Sequence, residues 1–189
     1  PVVTGDTKVV ERGKADGVFI ATTGVGIVPP GVDLSVDRAQ PGDIVVLSGS
    51  IGDHGVAVMS KRRNVEFETA IVSDSAPLHG LVADMVATAG ASLRLMRDPT
   101  RGGLAATLNE IADRSQVGIR LREAAIPVKP EVAAACELLG IDPLDVANEG
   151  KLVAVVERDA AECLVAAMRR HPFGRDAAVI GEVVADPDR

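Results

Sequence analysis

Two short apolar runs constrain this chain more than any other feature: DIVVLSGS at residues 43–50 and KLVAVVE at residues 151–157. Unbroken aliphatic stretches rich in valine, with Asp, Ser and Gly at their margins, predict short strands buried in a core rather than half-exposed ones. Helical patterns stand between them. In APLHGLVADMVATAG, Leu78, Leu81, Val82, Met85 and Val86 fall at i, i+3, i+4, i+7 and i+8, the stripe of an amphipathic helix. Leu104, Leu108, Ile111 and Ala112 give a second helix one apolar face. Leu164, Val165 and Met168 give another, running to Arg170 with Asp159 as its expected N-cap. GVAVMSKR and residues 131–139 also read as helices, and SLRLM, VGIRLRE and AAVIGEVV as strands. Strands alternating with helices predict an α+β domain of layered α/β character. The chain has three Phe and neither Trp nor Tyr, so its core must be aliphatic.

The first forty residues are organised differently. TKVVERGKADGVFIATTGVGIV, residues 7–28, predicts two extended segments joined at GKADG. A pair of strands is marginal alone and requires partners from elsewhere. The turn-rich PPGVDLSVDRAQPGD closes this part, placing a boundary between Arg38 and Pro41 and dividing the chain into 1–40 and 41–189. A first residue of proline, with no initiator methionine, leads us to expect a piece of a longer protein.

Composition excludes several functions. Twenty Lys+Arg against 27 Asp+Glu give a net charge of −7, the wrong sign for gathering nucleic acid or anionic membrane by charge, and aromatic rings for stacking on bases are nearly absent. No apolar run approaches the roughly 18 residues of a membrane span, so a cytoplasmic protein is expected. Cys136 and Cys163 lie far apart without a metal-binding or dithiol spacing and read as thiols of a reducing compartment. His54, His79 and His171 are scattered and nominate no metal site.

Four stretches could carry chemistry. MRDPTRGGLAATLNEIA, residues 96–112, places Asp98, Thr100, Arg101, Gly102 and Gly103 ahead of a helix. Its glycines and the free N–H groups of a helix start suit an anion, and Arg101 adds a forked donor; equally, Asp98 or Thr100 could simply cap the helix. In GDTKVV, Asp6 and Lys8 share a face if the segment is extended, which suits Mg²⁺ and phosphate as well as it suits a plain surface ion pair. ANEGKLVAVV sets Asn148 and Glu149 at the mouth of a strand, either as ligand groups or as a turn. SGSIGDHG, residues 48–55, is a phosphate contact or a tight strand-to-helix turn.

Taken in order, GDTKVV, SGSIGDHG, SDSAPLHGL, DPTRGGLAATLNEIA and ANEGKLVAVV closely resemble the HypE family of hydrogenase maturation proteins, across essentially the whole chain. That family belongs to an ATP-binding superfamily with aminoimidazole ribonucleotide synthetase, selenophosphate synthase and thiamine-monophosphate kinase. DPTRGG is its most specific part, since the relatives carry other residues in that loop. The resemblance implies the C-terminal domain of an aminoimidazole ribonucleotide synthetase-like fold at 41–189, preceded by the last strands of an ATP-binding, homodimer-forming N-terminal domain at 1–40. The implied enzyme is a carbamoyl dehydratase. A partner carbamoyltransferase loads a carbamoyl group onto a C-terminal cysteine, ATP with Mg²⁺ drives its dehydration to a thiocyanate, and iron-carrying maturation proteins receive the cyanide for a NiFe centre.

Carried onto this sequence, the resemblance assigns Asp6 to Mg²⁺ and Asp6 and Lys8 to the ATP phosphates. Arg101, with the Gly102 and Gly103 backbone and neighbouring Asp98 and Thr100, would steady phosphate or the carbamoyl oxygen. Glu149 becomes the candidate base and Asn148 its orienting amide, so that Lys8, Arg101 and Glu149 form the catalytic set. An earlier acidic motif and the cysteine-ended tail of the family have no counterpart in these 189 residues, so the chain alone is expected to be inactive. Rival readings are another ATP-dependent enzyme of the superfamily and a non-catalytic assembly module.

Overall fold

The structure, a computed structural model, describes residues 2–63 and 70–185. Five strands form one sheet: β1 (Ile44–Leu47), β2 (Leu93–Arg97), β3 (Gly118–Leu121), β4 (Val153–Val156) and β5 (Ala178–Val184). Their order is β2-β4-β1-β5-β3, and every neighbouring pair is antiparallel. Five helices accompany them: α1 (Asp53–Arg63), α2 (His79–Ala89), α3 (Gly103–Ser115), α4 (Pro130–Leu139) and α5 (Arg158–Arg170). The class is α+β, with the sheet between layers.

The two apolar runs occupy the sheet's interior because both of their faces are covered. Every residue of β1 and β4 is buried. Alternate side chains go to opposite sides of a strand, so Val45, Leu47, Val153 and Val155 join Leu104, Leu108 and Ile111 of α3 on one face. Ile44, Val46, Ala154 and Val156 join Leu81 and Met85 of α2 and Leu164, Val165 and Met168 of α5 on the other. A smaller cluster of Val56, Val132, Ala135, Cys136 and Val146 holds α1 against α4. Each fully buried Val, Leu or Met contributes about 1.5–3 kcal/mol, which makes the two sheet faces the main source of stability.

Two expectations from sequence change here. Asp159 does not cap α5. The helix begins at Arg158, Glu157 takes the cap position without a side-chain cap bond, and Asp159 sits in the first turn. Glu157 is held from β2 instead, its N–H donating to the Ser92 carbonyl at 3.0 Å and its carboxylate accepting from Ser92 Oγ at 2.7 Å and pairing with Arg94 at 2.9 Å. Residues 7–28 form no ladder: the chain turns at Glu11–Lys14, and Val9, Val18, Phe19, Ile20, Val25 and Ile27 stay exposed. With no sheet beside them, their main-chain groups have nothing to pair with.

The cysteines differ in a way that a reagent can read. Cys136 is fully buried and burial pushes its thiol pKa up, whereas Cys163 is exposed on α5. A disulfide reagent near neutral pH is therefore expected to modify one thiol of the native chain, Cys163, at least about 100-fold faster than the other. Two thiols reacting together before unfolding would contradict the packing of α4.

Candidate functional site

The register of the sheet gathers the sequence motifs at one end. Leu47, the last residue of β1, and Arg97, the last of β2, both stand opposite Val153, the first residue of β4. SGSIGDHG leaves β1 at this point, DPTRGG leaves β2, and ANEGK enters β4. The ladder continues one step into the loops, with Ser48 donating its N–H to Leu152 O and Leu152 returning a bond to Ser48 Oγ, both at 3.0 Å.

Asn148 fastens the three loops together. Its side chain is completely buried. The Gly52 N–H donates to Asn148 Oδ1 at 2.8 Å, and Asn148 Nδ2 donates to the carbonyls of Pro99 at 2.9 Å and Val146 at 3.0 Å. Its own N–H also donates to Pro99 O, at 3.1 Å. A side-chain amide offers two donors and one acceptor oxygen, so this one is fully engaged with backbone and acts by holding loops in place.

Neither Asp98 nor Thr100 caps α3. Gly102 occupies the cap position at φ +75° with no side-chain bond, and Asp98 is exposed, 4.0 Å from Arg97 Nε. The Thr100 carbonyl accepts from Gly103 N–H at 3.0 Å and the Gly102 carbonyl from Ala106 N–H at 3.1 Å. The N–H groups of Leu104 and Ala105 find no acceptor among the described residues. A helix start whose first N–H groups lack main-chain acceptors carries a partial positive charge that suits an anion; Leu104 is itself fully buried, and Ala105 is half-buried. Gly103 allows the loop to sit there: its φ is +64°, and a Cβ would overlap the Leu144 carbonyl oxygen. Arg101 beside it is exposed and has no partner among the described residues.

Glu149 is exposed next to this cradle, its N–H donating to Asp74 Oδ1 at 3.1 Å. Asp6 and Lys8 are not brought to it; both are exposed and neither pairs with a described residue. Sequence reasoning missed two ion pairs here. Asp74 pairs with Lys151 at 3.4 Å, and Lys129 Nζ donates to Asp53 Oδ1 at 2.7 Å, while Ser50 Oγ donates to Asp53 Oδ2 at 2.8 Å. Asp53 lay within a quoted motif, but its partner is 76 residues away, and Lys151 was hidden as the first letter of an apolar run. The Asp53 carboxylate raises the Lys129 pKa above its ordinary 10.5. The stabilisation from this pair is therefore present below that value and is lost only as pH rises through the raised one. Among the described residues no three His, Cys, Asp or Glu side chains cluster to hold a metal, and no helix is long and apolar enough to cross a membrane.

An antiparallel sheet layered by helices, with three loops joined at one end, is the arrangement of an AIR synthase-like C-terminal domain. Residues 40–189 match the family described as AIR synthase related protein, C-terminal domain, and the chain belongs to that family. It is 72% identical over 186 residues to the carbamoyl dehydratase HypE of Rhizobium leguminosarum bv. viciae, a match covering 98% of this chain and 53% of that protein. Among solved structures it is similar to HypE in a HypE-HypF complex (TM-score 0.81, 51% identity, 82% of this chain and 51% of that one). It is also similar to HypE in complex with ATP (TM-score 0.78, 45% identity, 82% and 46%). The chain spans about half the length of the curated relatives it matches.

The clamp is open to a direct test. Asn148→Ala would leave the Gly52 N–H and the Val146 carbonyl without this partner, with Pro99 O keeping only the main-chain N–H of residue 148, and is expected to cost about 3 kcal/mol in urea unfolding of the chain. Asn148→Asp should cost a similar amount, because it keeps the acceptor for Gly52 but turns a carboxylate oxygen toward the Pro99 and Val146 carbonyls. Unchanged midpoints for both would show that the loops are held by something else.

Proposed function

We propose that this chain is the C-terminal part of a carbamoyl dehydratase of hydrogenase maturation, contributing one wall of its ATP site. The observation that carries this reading is the convergence of DPTRGG, SGSIGDHG and ANEG on the Asn148 amide, which brings the start of α3, the exposed Arg101 and the exposed Glu149 to one end of the sheet. High identity to HypE carbamoyl dehydratases, and a similar HypE with ATP bound, support the same reading. Residues 41–189 form the C-terminal unit and 1–40 the end of an N-terminal, dimer-forming one. The absence of strand, helix or buried side chain in residues 2–30 supports that division.

The anion cradle fits a phosphate. ATP bound there supplies an activating phosphoryl group, which turns the amide oxygen of an S-carbamoyl cysteine into a phosphate leaving group. Arg101 and the Ala105 N–H would bind the negative oxygens, Gly102 and Gly103 would permit their close approach, and Asp98 and Thr100 would shape the loop. Glu149 accepts the amide protons as the thiocyanate forms. Asn148 orients the Glu149 loop from beneath. Lys8 would meet phosphate and Asp6 would offer a carboxylate to Mg²⁺, with the segment that carries them brought to the cradle in a homodimer. The carbamoyltransferase HypF and iron-carrying maturation proteins are its partners, in the cytoplasm.

The test uses the full-length protein carrying its terminal cysteine. ATP consumption should follow carbamoyl loading, and a protein that neither takes the group nor consumes ATP would remove the enzyme reading. Arg101→Ala is expected to lower turnover about 10- to 100-fold with an unchanged melting temperature, because the side chain is exposed and unpaired. Equal loss of stability and activity would point to a structural role. The 189-residue chain alone should bind Mg-ATP only weakly in calorimetry, since Asp6 and Lys8 stand apart from the cradle; sub-micromolar affinity would show the site complete without the missing half.

A further inference from the structure

The Glu149 loop is anchored by a buried charge that neither the sheet nor the cradle requires. The Asp74 side chain is 3% exposed. Oδ1 accepts from the Glu149 N–H at 3.1 Å, while Oδ2 is buried without a hydrogen-bond partner and lies 3.4 Å from Lys151 Nζ. Lys151 is itself 14% exposed. Its ammonium makes one long bond to Gly150 O at 3.4 Å, and its stem lies along Gly49, where a Cβ would come within 3.2 Å of Cε. Gly150 leaves no space between the strands of this knot, since a Cβ there would overlap the Asp74 carbonyl oxygen. On the other side Ser73 is tied to α1, its Oγ 2.8 Å from His54 Nδ1, and also accepts from the Ser75 N–H at 3.2 Å.

A carboxylate out of water is costly unless it is paired and hydrogen-bonded, and an apolar side chain of similar volume would often serve packing as well. Asp74 instead directs one oxygen to the main chain of the candidate base and the other to a single cation. We infer that Asp74 is a positioning residue for Glu149, fixing the main-chain direction from which the Glu149 carboxylate reaches the reacting amide, with Lys151 as the counter-charge facing its other oxygen. The inference rests on Glu149 acting as the base in the proposed reaction. It predicts that Asp74 influences the chemical step rather than ATP binding, because its contacts are to the Glu149 loop and none is to the α3 cradle.

The experiment compares variants of the full-length enzyme by ATP turnover on the carbamoylated tail. Asp74→Ala should lower kcat about 10-fold while leaving KM for ATP within about twofold, a split that follows from loss of orientation at the base. Asp74→Asn keeps an acceptor for the Glu149 N–H but leaves Lys151 unpaired. Adding Lys151→Met to it should restore kcat to within about threefold of the parent, since the charge is then removed from both partners. A kcat unchanged in Asp74→Ala, or a double variant as impaired as Asp74→Ala, would overturn the positioning role. Glu149→Gln separates the two claims: full turnover in that variant would remove the base reading and this inference with it. Lost turnover there, beside normal kcat in Asp74→Ala, would remove only the inference.

Discussion

The placement of Val153 opposite both Leu47 and Arg97 is the constraint on which the rest depends. In an antiparallel sheet the end of one strand lies beside the start of its neighbour. β4, flanked by β1 and β2, therefore receives two outgoing loops at the point where its own incoming loop arrives. A slip of one residue would turn every β4 side chain to the opposite face. Val153 and Val155 would then leave the α3 side, Ala154 and Val156 the α2 and α5 side, and the three loops would no longer be level with Asn148.

Two kinds of interaction divide the labour. The sheet faces are aliphatic and non-directional, strong in sum but indifferent to small displacements. The loop end is polar and directional: Asn148, Ser48, Asp53 and Asp74 are buried or nearly so, and each answers a specific donor, acceptor or charge. Buried polar groups left half-satisfied are costly, and fully satisfied they fix one arrangement. The start of α3 and the loops beside it owe their defined course to these bonds, which non-directional packing alone would not supply.

The strands and helices beyond residue 41 were legible because their periodicity is local. IVVL and VAVV could only be covered strands, and the Leu104, Leu108 and Ile111 stripe could only be one helix face. What sequence could not supply was sheet order and the long-range polar pairs, since Lys129 meets Asp53 and Glu149 meets Asp74 across some 75 residues. At the candidate site, the glycines of the loop were readable from residue chemistry, whereas Asn148, read as either a ligand group or part of a turn, is fastened to backbone through both ends of its amide. The capping roles read for Asp98, Thr100 and Asp159 failed for one reason. The backbone path was set by neighbours, a left-handed glycine before α3 and the Ser92 and Arg94 contacts before α5, and these left no capping geometry for the acids and the threonine.

The Asn148 clamp addresses only main-chain atoms of its partners: one N–H and two carbonyls. It therefore takes no notice of which side chains stand at positions 98, 100 and 101, so those positions can be rewritten without moving the frame that presents them. A scaffold of this sort separates the problem of fixing a loop's course from the problem of choosing what its side chains meet. One frame can then host different reactions, each written into a few outward-facing residues of a loop whose course is already fixed.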